Sequence, residues 1–139
     1  MKSNKDLVLG KEMKKKEYIN LLERYIKSWL MQDRQMFLDT LADKVDIREC
    51  YGASYETRLE AEAWFTEWNK AGKVLGWKIL DTFFDPERCL LFATWEFNHR
   101  YPGINEPCFD GITMLAVENG KITLLYEYET KHERFYPYK

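Results

Sequence analysis

The chain has 139 residues, 45% of them hydrophobic and 16% aromatic, enough for a single domain over residues 1–139 with a substantial core or a lined cavity. A formal net charge of −2, with the clustered lysines Lys11, Lys14, Lys15 and Lys16 confined to one short N-terminal stretch, gives no electrostatic footprint for nucleic acid. No apolar run reaches the length of a membrane span and residues 1–10 lack the apolar stretch of a signal peptide, so a cytoplasmic protein without membrane contact is expected.

Residues 1–10 carry little pattern and are expected to be a tail. From about 11 to 31, Tyr18, Leu21, Leu22, Tyr25, Ile26, Trp29 and Leu30 recur at three- and four-residue steps, which predicts an amphipathic helix. Asp33 is a fitting cap for a second, short helix whose apolar side is Met36, Phe37, Leu38 and Leu41. Residues 45–51 alternate as a strand at or near a sheet edge, and 52–55 read as a turn. Thr57 and Glu60 have the spacing of a capping box, so a third helix follows, with Ala61, Trp64, Phe65 and Trp68 on its buried stripe and Gly72 at its end.

Beyond Val74 the period changes to two. One strand carries Leu75, Trp77, Ile79 and Phe83, residues 85–88 turn, 89–100 form a long strand, and Tyr101-Pro102-Gly103 breaks it. Residues 108–131 then read as a hairpin around Asn119-Gly120, the dipeptide suited to a type I′ turn. A regular register from that turn sets Glu118 against Lys121, Leu115 against Leu124, Ile112 against Glu127 and Asp110 against Glu129. Both faces of this hairpin would then hold large apolar groups, so each is expected to be covered. Residues 133–139 are a second tail. Helices gathered on one face of an antiparallel sheet make an α+β fold.

Cys50, Cys89 and Cys108 are odd in number, far apart and without a C-x-x-C pair, so reduced thiols are expected rather than disulfides or a zinc site. No glycine-rich phosphate loop, nucleophile elbow or H-E-x-x-H pattern occurs, and neither a metal nor a cofactor is called for.

The stretch YIKSWLMQDRQMFLDTLADKVDI, the helix around Trp64 and the closing DGITMLAVENGKITLLYEYET together resemble the nuclear transport factor 2-like superfamily over residues 18–131. That superfamily includes SnoaL-like polyketide cyclases, ketosteroid isomerase and limonene epoxide hydrolase. The resemblance implies a cone in which three helices from the N-terminal half pack inside a curved antiparallel sheet that encloses a pocket, with the opposite sheet face pairing two subunits. It leaves function open, because function lives in the site.

Gly120-Lys121-Ile122-Thr123 followed by Tyr128 is most similar to the last strand of limonene epoxide hydrolase. Matched residue by residue, that family's two carboxylates fall on Glu127 and Glu96, while its arginine, tyrosine and asparagine positions hold Thr94, Ile47 and Glu49. Epoxide hydrolysis is therefore not predicted. The ketosteroid isomerase acid, counted from the same turn, falls at Thr113.

The resemblance thus implies a pocket in which Glu96, Glu127 and Glu49 are the candidate catalytic carboxylates, with Trp64, Trp68, Phe92, Thr94, Ile112 and Met114 around an apolar small molecule. Three carboxyl groups in one apolar cavity cannot all ionise easily, so one of them would serve as a general acid or base near neutral pH. In the alternative, a one-residue slip sends Glu96 to the other face, and Glu127 and Glu129 form a wet edge. His99 and His132 are expected at one rim. Two functions stay open: a cofactor-independent isomerase, cyclase or hydrolase, and a non-catalytic ligand-binding or interaction module. A homodimer is expected through the face bearing Trp95, Phe97, Leu115, Tyr126 and Tyr128, which is too apolar to leave in water.

Overall fold

The computed structural model describes residues 3–139. In chain order the elements are α1 (Asn4–Leu30), α2 (Arg34–Thr40), β1 (Leu41–Arg48), β2 (Ser54–Thr57), α3 (Arg58–Ala71), β3 (Lys73–Asp85), β4 (Leu90–Arg100), β5 (Cys108–Glu118) and β6 (Lys121–Lys131). Three helices lie against one six-stranded sheet of order β2-β1-β6-β5-β4-β3, so the fold is α+β.

Local chemistry sets the helix starts. The Ser3 hydroxyl accepts the Asp6 N–H at 3.2 Å, and α1 therefore begins well before residue 11. Residues 4–10, expected as a tail, are its exposed first turns. Asp33 caps α2 by accepting the Met36 N–H at 3.0 Å, and Thr57 caps α3 by accepting the Glu60 N–H at 3.1 Å. The buried stripe of α1, from Tyr18 through Leu22 and Tyr25 to Trp29, meets Phe37 of α2 and Phe65 of α3. Phe37 and Phe65 stack at 4.4 Å between centroids, and Trp29 lies 4.6 Å from Phe65. At the other end of α1 the Tyr18 hydroxyl donates toward the carbonyls of Val117, at 3.2 Å, and Cys89, at 3.3 Å.

The sheet differs from expectation in two ways. β1 runs parallel to β6, and Ser54 and Tyr55, expected within a turn over 52–55, open the short strand β2 (Ser54–Thr57) that takes the sheet edge. The sheet is therefore mixed. A strand's own alternation says which face is buried but not the direction of its neighbour, which depends on the whole chain path.

The second difference lies in the last hairpin. Glu118 faces Lys121 across Asn119 (φ 51) and Gly120 (φ 73), as a type I′ turn requires. Val117 then faces Ile122, but Ala116 faces Leu124, so Thr123 is an extra residue in β6. This bulge moves every later partner by one: Leu115 faces Leu125, Thr113 faces Glu127, Ile112 faces Tyr128 and Asp110 faces Thr130. Two more irregularities, between Val74 and Gly76 and between Ile79 and Asp81, bend β3.

The face toward the helices carries Leu91, Ala93 and Trp95 of β4, Thr113, Leu115 and Val117 of β5, and Ile122, Leu125 and Glu127 of β6, all buried. The face expected to pair two subunits is thus partly the core: Trp95 and Leu115 lie under the protein's own helices, whereas Tyr126 and Tyr128 point outward. Trp95 crosses over Gly111 of β5, its cross-strand partner. A Cβ at that position would collide with the Trp95 ring and the Tyr128 carbonyl. Gly111→Ala is therefore expected to destabilise the chain by about 1–3 kcal/mol, the usual cost of overpacking, and urea unfolding curves of the two proteins check it.

Candidate functional site

Between the helices and the inner sheet face lies a cavity in which a water-sized sphere can move through about 80 Å³, more room than a single water needs. Its aromatic wall is supplied by Trp29 of α1, Trp64 and Trp68 of α3, Trp77 of β3, and Trp95 and Phe97 of β4. Tyr25, His99 and Phe109 add to it, and Glu49, Cys50 and Tyr51 enter from the segment after β1. Glu127 of β6 completes it.

The rings hold one another. Trp29 packs against Trp64 at 4.9 Å and Trp68 at 5.5 Å, Tyr55 stacks on Trp64 at 4.8 Å, and Trp77 meets Trp95 at 5.5 Å. The Trp95 indole donates to the Thr113 hydroxyl at 2.8 Å, which fixes that ring and satisfies a buried threonine. His99 donates from Nδ1 to the Pro107 carbonyl at 2.8 Å, since a carbonyl can only accept. The tryptophans at 29, 64 and 77 and the Tyr25 hydroxyl are sealed among the rings without hydrogen-bond partners.

Glu127 is 9% exposed, its side chain has no hydrogen-bond partner among the described residues, and it lines the cavity. Burial, helped by the charge of Glu49, raises its pKa to about 8. Burial raises Glu49 as well; the Trp64 indole, turned toward it but outside hydrogen-bond geometry, offsets part of this. The Cys50 thiol is pushed far up, first by burial and then by the charges of Glu127, Glu129 and Glu49, so it is an inert wall group and not a nucleophile.

The other expected site residues fall elsewhere. Trp64 and Trp68 line the cavity, but Phe92, Thr94, Ile112 and Met114 lie on the outer sheet face, paired as Phe92 with Met114 and Thr94 with Ile112. Glu96 is exposed beside Asp110 on that same outer face. The expectation that Glu96 and Glu127 share a cavity is thereby corrected: the alternation of β4 turns Glu96 outward with Thr94, while the Thr123 bulge turns Glu127 inward beside Thr113 instead of Ile112. Glu96, Asp110 and His132 bring one ligand atom each within 4.8 Å of one another, in solvent, and His132 Nδ1 bonds Asp110 at 2.8 Å, which raises the imidazole's pKa. His99 and His132, expected at one rim, sit on opposite faces.

Tyr25, Trp29, Trp77, Trp95, Phe97 and His99 were missed as site residues. The sequence signal for three of them is the odd-numbered alternation Leu91, Ala93, Trp95, Phe97 and His99 in β4.

No family model and no curated protein matches the sequence. Solved structures do match. A protein assigned as a polyketide cyclase from Xanthomonas campestris pv. campestris is similar at 17% identity and a TM-score of 0.68, over 83% of this chain and 91% of that one. An LEH-like epoxide hydrolase from Mycobacterium tuberculosis is similar at 14% identity and a TM-score of 0.72, over 83% and 84%. A hypothetical protein of ketosteroid isomerase-like fold from Catenulispora acidiphila, in complex with trimethylamine, is similar at 13% identity and a TM-score of 0.68, over 81% and 85%.

The raised Glu127 has a consequence for stability. Its folded value, about 8, lies above the ordinary glutamate value of about 4.3, so the folded chain holds an extra proton between those limits. The associated stability is fully present below about pH 4 and is lost as pH rises toward about 8, on the order of a few kcal/mol. Glu127→Gln keeps a neutral side chain at every pH. It is expected to flatten this decline and to melt above the unsubstituted protein on the alkaline side, as paired thermal melts across pH will show. Fold, buried carboxyl and aromatic cavity lie together in a chain that has the nuclear transport factor 2-like fold.

Proposed function

We propose that this protein binds a small apolar or aromatic molecule in the cavity and moves a proton on it without a cofactor, in an isomerisation, cyclisation or hydrolysis. The observation that carries this reading is Glu127, a buried carboxyl in a ring-lined cavity with no hydrogen-bond partner among the described residues. An acid whose pKa sits near 8 holds its proton at neutral pH and can release it there, which is the condition for general acid–base work. Glu49, less deeply placed in the same wall, is the second carboxyl. A bound ligand would displace water from both.

A second reading, a non-catalytic ligand-binding module, is favoured by one specific observation. The cavity lacks the second strand carboxylate, because Glu96 faces outward, and the helper positions hold buried Ile47 and outward Thr94. Proton exchange decides between the two. In deuterated buffer, a panel of small carbonyl compounds, neutral and amine-bearing, is expected to yield at least one whose α-protons exchange under catalysis. Glu127→Gln is expected to lower that rate by about 10²-fold or more. Equal rates in both proteins would remove Glu127 from the chemistry, and binding without exchange would put the module reading in front.

We also propose that the protein works as a homodimer in the cytoplasm, its three cysteines being unpaired. Across the outer face Phe83, Phe92, Met114 and Tyr126 follow one another from strand to strand, and Phe83 is 59% exposed. A contiguous apolar row of this kind is rarely left in water. Sedimentation equilibrium is expected to give a dimer, and the pair of changes Phe83→Glu and Met114→Glu a monomer. Among the described residues no helix is long and apolar enough to cross a membrane.

A further inference from the structure

The cavity wall has a composition that proton transfer alone does not account for. Trp29, Trp64, Trp68, Trp77, Trp95 and Phe97 make it aromatic, and the two carboxylic acids in it are Glu49 and Glu127. No lysine or arginine is among its lining residues. An anionic ligand would meet two carboxyl groups and no lysine or arginine to offset its charge. A purely hydrocarbon ligand would fill the space but leave the Glu127 carboxyl, which has no protein partner, against carbon. An alkylated ammonium ion meets both demands at once. Aromatic rings attract it through their negative faces, tryptophan most strongly, and an adjacent carboxylate supplies the counter-charge.

We propose that the cavity takes a compact organic ammonium ion, a methylated amine of about the size of choline. This rests on the reading of the cavity as a small-molecule site and names the charge and class of what enters it. The two carboxyl groups then divide their tasks. One neutralises the cation, and the other is left to carry a proton. A cation brought to this wall favours the ionised form of each acid, so binding releases a proton wherever Glu49 or Glu127 was protonated beforehand.

The groups that face Glu127 set the pH dependence. They are Tyr25 from α1 and Glu49 and Cys50 after β1, with Tyr51 and His99 elsewhere in the same lining and Glu129 beside Cys50 and Tyr51, while β5 presents the uncharged Thr113 and α3 presents uncharged tryptophans. Tyr25 and Cys50 are held neutral by burial. The carboxyl groups alone add negative charge as pH rises. Every contribution therefore points the same way.

Choline carries its charge at any pH, and 3,3-dimethylbutan-1-ol is its neutral counterpart of nearly equal shape, so the two are the probes. Isothermal titration calorimetry is expected to show choline binding tighter than the alcohol by about ten-fold or more, with choline alone gaining about ten-fold between roughly pH 6 and pH 9. Glu127→Gln is expected to abolish the upper part of that gain. Glu49→Gln, at a less buried position, weakens choline with the fold undisturbed and keeps the test independent of how the Glu127 variant folds. Equal affinity for the two probes, tighter binding of the alcohol, or binding of neither overturns the assignment. The two proposals fail separately: choline preference without any Glu127-dependent exchange removes catalysis only, and Glu127-dependent exchange on neutral carbonyls without choline preference removes the cation only.

Discussion

One extra residue in β6 decides which side chains see the interior. Ile122 is buried before Thr123, and after it the buried positions are Leu125 and Glu127, so the parity of the strand reverses at the bulge. Without that reversal Tyr126 and Tyr128 would point at the helices and Glu127 would be an ordinary solvated glutamate. The same bulge leaves Thr113 beside Glu127, and Thr113 in turn takes the Trp95 indole hydrogen bond. A backbone irregularity thus places an ionisable group in the core and the ring that walls it in.

The features read correctly from sequence are the local ones. Asp33 and Thr57 announce helix starts within four residues, and Asn119-Gly120 announces a tight turn, because each is a contact between neighbours in the chain. The bulge has no such signature. Thr123 is an unremarkable strand residue, and only the burial of Ile122 and Leu125 together makes a regular strand impossible. Glu96 was misplaced for a related reason: alignment with a remote strand motif outweighed β4's own alternation, in which Trp95 and Phe97 are the apolar parity. The direction of β6 against β1 was beyond any reading of single strands. Tyr25 and Trp29 were recognised as buried helix residues, yet nothing in a helical stripe distinguishes a ring that fills a core from one that borders a cavity.

The electrostatics of the cavity follow from its rings more than from its charges. Desolvation is the first cause of every raised acid there, at Glu127, Glu49, Cys50 and Tyr25 alike; the charge of Glu49 comes second at Glu127, and the charge of Glu127 second at Cys50 and Tyr25. A wall of tryptophan replaces the water that would ordinarily stabilise a carboxylate, and no arginine or lysine takes its place. Buried ion pairs would have lowered both values and fixed the charges; their absence from the lining leaves protonation free to respond to whatever enters.

The Tyr18 hydroxyl, bonded toward the carbonyls of Val117 and Cys89, ties α1 to the turn ends of the β5–β6 and β3–β4 hairpins. That rivet makes the molecule mechanically unequal along its length. Amides close to the rivet are expected to exchange more slowly with solvent than those of the loop segments around Tyr51 and Tyr101. For the proposed ligand, Tyr51 belongs to the cavity lining, so local opening of its segment, rather than the stability of the whole fold, would set how long a guest stays.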